Sequence, residues 1–284
     1  MSENITHTGV LEDTARIVAW SSEIGDEVKD SLDRHLDIAR LGGITRSGDK
    51  HTSKLLGRIR GGWPGDEADR LPEKLAFVCG WLCHRATDRQ MKPIFRATDP
   101  DCLLSPTDCS VYHDVFVLQK VFGAGEVDPY SPMAFKPELP RVQEAFQSMW
   151  QRHLIAIHTF IPDDEDAEGW MVRLFDTVQG VRVDLDRYAE AFESPDPDKM
   201  DRFIWSVNFY EDKDPLIAAA RALQSGDKPQ GDLGDALESA KTDSHYAQAV
   251  ARSYGYLHAA SEFMAGKLGK GKLEQALEIG VPGG

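Results

Sequence analysis

The chain reads as an all-α protein. Apolar residues recur at helical spacing in every long segment, no stretch sustains the two-residue alternation of a strand, and clusters of turn-forming residues separate the periodic segments. About eight to ten helices joined by short loops are expected. They make one large multi-helix bundle, a single domain over residues 1–284.

In chain order, Ile5, Val10, Leu11, Ile17 and Val18 predict a first helix over residues 5–20, with Thr6 or Thr8 able to cap it and His7 near its start. A second helix is expected over 26–41, stopped by Gly42-Gly43. The polar loop TRSGDKHTS follows, carrying Asp49 and His51, and leads to a short basic helix through Lys54, Leu55, Leu56 and Ile59. Gly61-Gly62, Pro64 and Gly65 form a clear break. The central helix, residues 74–93, then sets Leu75, Val78 and Leu82 at helical intervals beside Phe77 and Trp81. After Pro93 the sequence ATDPDCLLSPTDCS is turn-rich. Ser105-Pro106 suits the start of a further helix through Val111, Val115, Leu118 and Val121 to Gly123.

Beyond a proline-rich connection at 128–140, helices are expected over 141–161 and 168–192, through Phe203 and Trp205, from Asp214-Pro215 onward, and over 243–268. The terminal GVPGG should fray. No internal repeat or low-complexity tract interrupts this order.

Composition narrows the function classes. With 41% hydrophobic and 28% charged residues the chain is ordinary globular protein, and no run approaches the roughly 18 apolar residues that a membrane-spanning helix needs. The N-terminus lacks a basic region followed by an apolar core, so a cytoplasmic location without membrane insertion is expected. A net charge of −15, spread along the chain, opposes binding to nucleic acid or anionic membranes. An anionic substrate would need a local cation. Cys79, Cys83, Cys102 and Cys109 lack the paired spacing of a zinc ribbon and read as reduced thiols.

The central helix carries the polar pair that stands out. His84 and Asp88, four residues apart, share one face of an apolar helix and must be solvated or paired there. An intrahelical contact and a metal role are both open at this point. His7, His51 and His113 also lie near helix ends or on apolar faces, with Asp49 close by, and imidazole with carboxylate suits zinc, iron or manganese. His35, His153, His158, His245 and His258 read as structural, and the acidic run at 163–166 as a solvated loop.

Gly80-Trp81-Leu82-Cys83-His84, then Asp88 and Pro93, resembles the G-[YW]-x-x-H-x-x-x-D-x-x-x-H-P segment of the zinc-dependent phospholipase C family, whose relatives include the S1/P1-type nucleases. The resemblance covers residues 5–123 and implies an all-helical fold of that type. It implies a metal-binding half over residues 1–125 with supporting helices over 138–270. It also implies a zinc site, with iron or manganese as substitutes, drawn from His7, Asp49, His51, His84, Asp88 and His113; Asp37 is an alternative to Asp49. The activity implied is hydrolysis of a phosphoester by water that a metal activates. Asp88 and Lys92 would take part in catalysis, with Arg46, Arg85 or Lys92 adding positive charge at the phosphate. Two positions depart from the pattern: Lys92 stands where the family has its second histidine, and Val117 where a carboxylate would follow His113. A reduced or altered metal centre follows.

The acidic chain and missing export signal favour a small soluble phosphoester over nucleic acid or lipid. Two other readings compete. His113-Asp114, with His84 upstream and Asp176 and Asp184 downstream, suggests an HD-type metal phosphohydrolase. A helical scaffold with a degenerate site would keep His84 and Asp88 only as a structural pair.

Overall fold

The computed structural model of the chain describes residues 4–44, 49–65, 69–101, 107–123 and 185–281, and at 4, 49–51, 185, 186 and 189 the backbone only. Every regular element among these residues is helical and no strand occurs, in agreement with the predicted all-α class. The elements are α1 (Asn4–Trp20), α2 (Asp26–Arg34), α3 (Leu36–Gly43), α4 (Asp49–Gly62), α5 (Leu71–Thr98) and α6 (Asp108–Val121). They continue with α7 (Leu185–Glu193), α8 (Pro197–Met200) running into a π-helical turn (Asp201–Trp205), α9 (Pro215–Gln224), α10 (Leu233–Ser239), α11 (His245–Met264) and α12 (Lys270–Ala276). No helix among the described residues is long and apolar enough to cross a membrane.

The chain divides into two compact units, Met1–Asp114 with Asp198–Gly284, and Val115–Pro197. In the second, the described residues are the end of α6, where Val115, Val117, Leu118 and Val121 are buried, and α7, with Tyr188 and Ala191 buried. The helix expected over 141–161, most of that over 168–192, the acidic run at 163–166, Arg46, Cys102, Ser105 and Pro106 lie outside the described residues.

The first unit is organised on α5, which packs against α1, α2, α3, α4 and α11. Leu75, Phe77, Val78, Leu82 and Met91 are fully or almost fully buried around its circumference, the pattern of a helix surrounded by protein. The helix does not stop at Pro93 as expected but runs through it to Thr98. A proline inside a helix costs about 3 kcal/mol. Burying Met91, Ile94 and Phe95 on either side contributes about 1.5–3 kcal/mol each, which outweighs that cost.

The helix expected over 26–41 is broken at His35 (φ −132°, ψ 39°), whose carbonyl accepts from Ile38 N and Ala39 N and starts α3. Helix α3 then lies directly on α5, and the contact depends on glycine. A Cβ on Gly80 would sit 2.0 Å from the Ala39 carbonyl oxygen, and one on Gly42 would sit 2.2 Å from that of Phe77. Gly42-Gly43 therefore serves as a crossing point as well as a stop. Residues 49–53, expected in a loop, form the first turns of α4, where Thr52 and Ser53 are buried and Ser53 Oγ donates to Glu274 Oε1 at 2.8 Å. Two short helices add to the expected order: α10, capped by Asp232 accepting from Gly234 N and Asp235 N, and α12, anchored by fully buried Leu273.

Helix α1 is held at both faces. Its first turn is capped by the carboxylate of Asp114 on α6, which accepts from Ile5 N (3.3 Å), Thr6 N (2.7 Å) and Thr6 Oγ1 (2.5 Å), so the cap comes from another helix rather than from Thr6 or Thr8. Farther along, buried Asp13 accepts from Tyr246 Oη at 3.0 Å and pairs with Arg16 and Arg221, while Glu12 pairs with Arg40 at 2.8 Å. Buried charges persist only when paired in this way. They fix the rotation of α1 against α3, α9 and α11.

Candidate metal centre

Those restraints bring His7 of α1 against His84 and Asp88 of α5. All three residues are buried: His7 is 1% exposed, His84 and Asp88 8% each. The two imidazoles stack with centroids 4.0 Å apart and planes 9° from parallel. They straddle one carboxylate, His7 Nε2 lying 3.4 Å from Asp88 Oδ1 and His84 Nε2 3.4 Å from Asp88 Oδ2. Lys92, one turn farther along α5 and 24% exposed, places Nζ 3.0 Å from Asp88 Oδ2.

The crossing at Gly80 orients the second imidazole. By bringing α3 onto α5 it sets the Gly43 carbonyl 2.8 Å from His84 Nδ1. A carbonyl oxygen only accepts, so Nδ1 carries the proton and Nε2 is the nitrogen turned to Asp88. A backbone carbonyl behind a histidine in this manner is the usual outer-shell support of a metal ligand.

Burial by itself would raise the Asp88 carboxyl, but the adjacent imidazoles, His84 foremost, outweigh it and hold the group well below the usual carboxylate range. Asp88 is therefore ionised at neutral pH.

This donor set fits a divalent cation. One nitrogen from each histidine and one carboxylate oxygen lie within 4.8 Å of one another. In a tetrahedral site with bonds of about 2.0–2.1 Å, neighbouring ligand atoms stand about 3.3 Å apart. The two nitrogen–oxygen separations, both 3.4 Å, are close to that value and long for hydrogen bonds, but they run to different oxygens of Asp88, and with one oxygen serving both imidazoles the donor atoms stand within 4.8 Å of one another. Three protein ligands with a further position open is the catalytic pattern rather than the closed structural one. Two histidines and a carboxylate suit zinc and also iron or manganese, so the ligands do not choose among them.

The remaining sequence candidates separate. Asp49 and His51 lie in the first turn of α4, their side chains outside the described residues. His113 is fully buried elsewhere in the same unit: Nε2 donates to the Phe203 carbonyl at 2.9 Å, and the ring stacks on Phe209 at 3.7 Å. Burial pushes its pKa down to about 3, so it is a neutral core residue at ordinary pH. Asp114 caps α1, so the adjacent pair is divided between two tasks, and Val117 is fully buried. Arg85 turns to the carbonyls of Leu277 and Glu278. Cys79, Cys83 and Cys109 are buried free thiols; burial pushes Cys83 and Cys109 up to about 12, which keeps them protonated.

Two supporting residues had no distinct sequence signal as site elements. Gly43 read as a helix stop and supplies the carbonyl behind His84; Asp114 read as half of a metal dipeptide and anchors the helix that carries His7. No family model, curated protein or solved structure matches the chain.

Proposed function

We propose that the protein is a metal-dependent hydrolase of small soluble phosphoesters, built on a mononuclear zinc centre held by His7, His84 and Asp88, with iron or manganese as substitutes. The convergence of two imidazoles on one carboxylate, with His84 supported from behind by a backbone carbonyl, carries this reading. The motif on α5 and the histidine on α1 stand in the order of the zinc-dependent phospholipase C family, and an all-helical fold of that type is part of the proposal. The placement of His113 in the aromatic core and the lysine at position 92 favour one ion over a cluster.

When bound, the cation supplies Lewis acidity toward water and toward phosphoryl oxygen. The chain's own groups do the rest. Asp88 stays ionised and offers a second oxygen as a proton acceptor, while the half-buried ammonium of Lys92 faces anionic substrate in a chain that otherwise repels it. Asp88 and Lys92 thus take the catalytic roles.

The test is a screen of phosphomonoesters and phosphodiesters with zinc-loaded and manganese-loaded protein. Hydrolysis abolished in Asp88→Ala and lowered on the order of 100-fold in Lys92→Met is expected, the second figure being typical for loss of one electrostatic contact to the transition state. Metal-loaded protein that cleaves none of these esters contradicts the proposal. A scaffold reading is favoured by one observation: Lys92 already balances the Asp88 charge without an ion.

A further inference from the structure

The other polar face of α5 ends in a second cluster that the metal centre does not use. Arg85 and Arg89 of α5, with Arg252 and Tyr256 of α11, surround the turn after α12. Arg85 Nε donates to the Leu277 carbonyl at 2.8 Å and its Nη2 to that of Glu278 at 2.5 Å. Arg89 Nη2 donates to the carbonyls of Glu278 (2.8 Å) and Val281 (2.7 Å). The Glu278 carboxylate fills the middle. Its Oε2 accepts from Arg252 Nη1 at 2.9 Å and from Tyr256 Oη, and lies 3.4 Å from Arg89 Nε.

Two features mark Glu278 as an imperfect occupant. Its backbone is left-handed, with φ +53°, a conformation that crowds the Cβ of any residue other than glycine against the following carbonyl. The carboxylate also leaves a donor unused. Arg89 Nε is buried on a side chain only 9% exposed, lies 3.4 Å from Oε2 with its N–H out of line, and makes no hydrogen bond. Two donors already occupy this carboxylate oxygen and Arg89 Nε is left over, whereas a tetrahedral anion spreads four oxygens over the same groups. Guanidinium forks match that shape. The Glu278 side chain is 35% exposed, so a solvent-borne anion can reach it.

We infer that Arg89, Arg252 and Tyr256, with Arg85 beside them, form a binding site for a phosphate group, and that the Glu278 turn fills this site from within the chain. A small phosphate-bearing molecule competes with residues 277–281 and releases them. The inference does not depend on metal at His7, His84 and Asp88.

The experiment uses the full-length chain and inorganic phosphate, read by calorimetric titration and by amide hydrogen exchange over residues 277–281. Wild type should bind phosphate weakly and exchange faster in that segment as phosphate is added. Glu278→Gln, which keeps the shape and removes the competing charge, should bind at least tenfold more tightly. Adding Arg89→Lys or Arg252→Lys should abolish that gain. Equal affinity in wild type and Glu278→Gln overturns the inference, as does a gain that survives both lysine substitutions, since phosphate would then be bound elsewhere. Should Glu278→Gln fail to fold, the wild-type exchange decides: unchanged exchange at saturating phosphate refutes competition. Phenyl phosphate replaces inorganic phosphate in a parallel arm, and tighter binding there identifies a phosphomonoester rather than the free ion as the better ligand.

Discussion

Gly80→Ala is a small change with a large expected effect, because it acts on the helix crossing and the candidate metal centre together. The added Cβ would lie 2.0 Å from the Ala39 carbonyl oxygen and 2.7 Å from Gly43 N. Both neighbours are backbone, so no side-chain rotation relieves the contact and α3 must move away by about 1 Å or more. Overpacking of this kind costs about 1–3 kcal/mol, here toward the upper end, and alanine returns about 1 kcal/mol through its better helix propensity. A net loss of about 2 kcal/mol lowers the melting temperature by roughly 4–8 °C in a chain of this size. The same movement lengthens the 2.8 Å contact from His84 Nδ1 to the Gly43 carbonyl past hydrogen-bonding range. Loss of an outer-shell partner lowers metal affinity about 10- to 100-fold. Thermal unfolding and zinc competition against a chromophoric chelator measure the two effects. Gly255→Ala on α11 is the control, since its Cβ would meet nothing within 4 Å, and it should be neutral or slightly stabilising. Gly80→Ala that matches wild type in both stability and zinc affinity would refute the link between the crossing and the site.

Other outcomes follow from the same geometry. Asp114→Ala leaves the amides of Ile5 and Thr6 without their carboxylate and should cost about 1–3 kcal/mol, with weaker zinc binding through His7; Asp114→Asn, which keeps an acceptor, should recover part of both, as read by chemical denaturation and metal titration. His113 has its folded pKa pushed to about 3 from an ordinary value of 6.5, so the unfolded chain takes up a proton first as pH falls. Its contribution to stability is intact above pH 6.5 and is lost progressively toward pH 3, at about 1.4 kcal/mol per pH unit and on the order of 5 kcal/mol altogether. His113→Gln, which keeps a donor for the Phe203 carbonyl but does not titrate, should flatten the stability–pH profile over that range; an unchanged profile would locate the acid sensitivity elsewhere.

The helices that build the centre were legible because long apolar periodicity is a strong local signal. Residues 5–20 and 74–93 matched α1 and the middle of α5, and the His84–Asp88 pair is a property of spacing on one helix. His7 as its neighbour is expected only from the resemblance, since nothing in MSENITHTG alone says which helix it will face. What stayed hidden depends on partners distant in sequence. A histidine on an apolar face looks the same whether it meets a carboxylate or an aromatic ring, and for His113 that choice is made by Phe203 and Phe209, about ninety residues away. Gly42-Gly43 is equally suited to stopping a helix or to letting another helix approach, and only the presence of Gly80 opposite makes it the second. Helices α10 and α12, seven residues each, are too short to establish a period.

Metal content tests the central claim most directly. After expression in zinc-replete medium and exhaustive dialysis, elemental analysis should find about one ion per chain in wild type and in His113→Gln, and close to none in His84→Ala and Asp88→Ala. Wild-type protein without metal that gains no thermal stability from added zinc or manganese would contradict the account, and so would equal metal content in all four proteins.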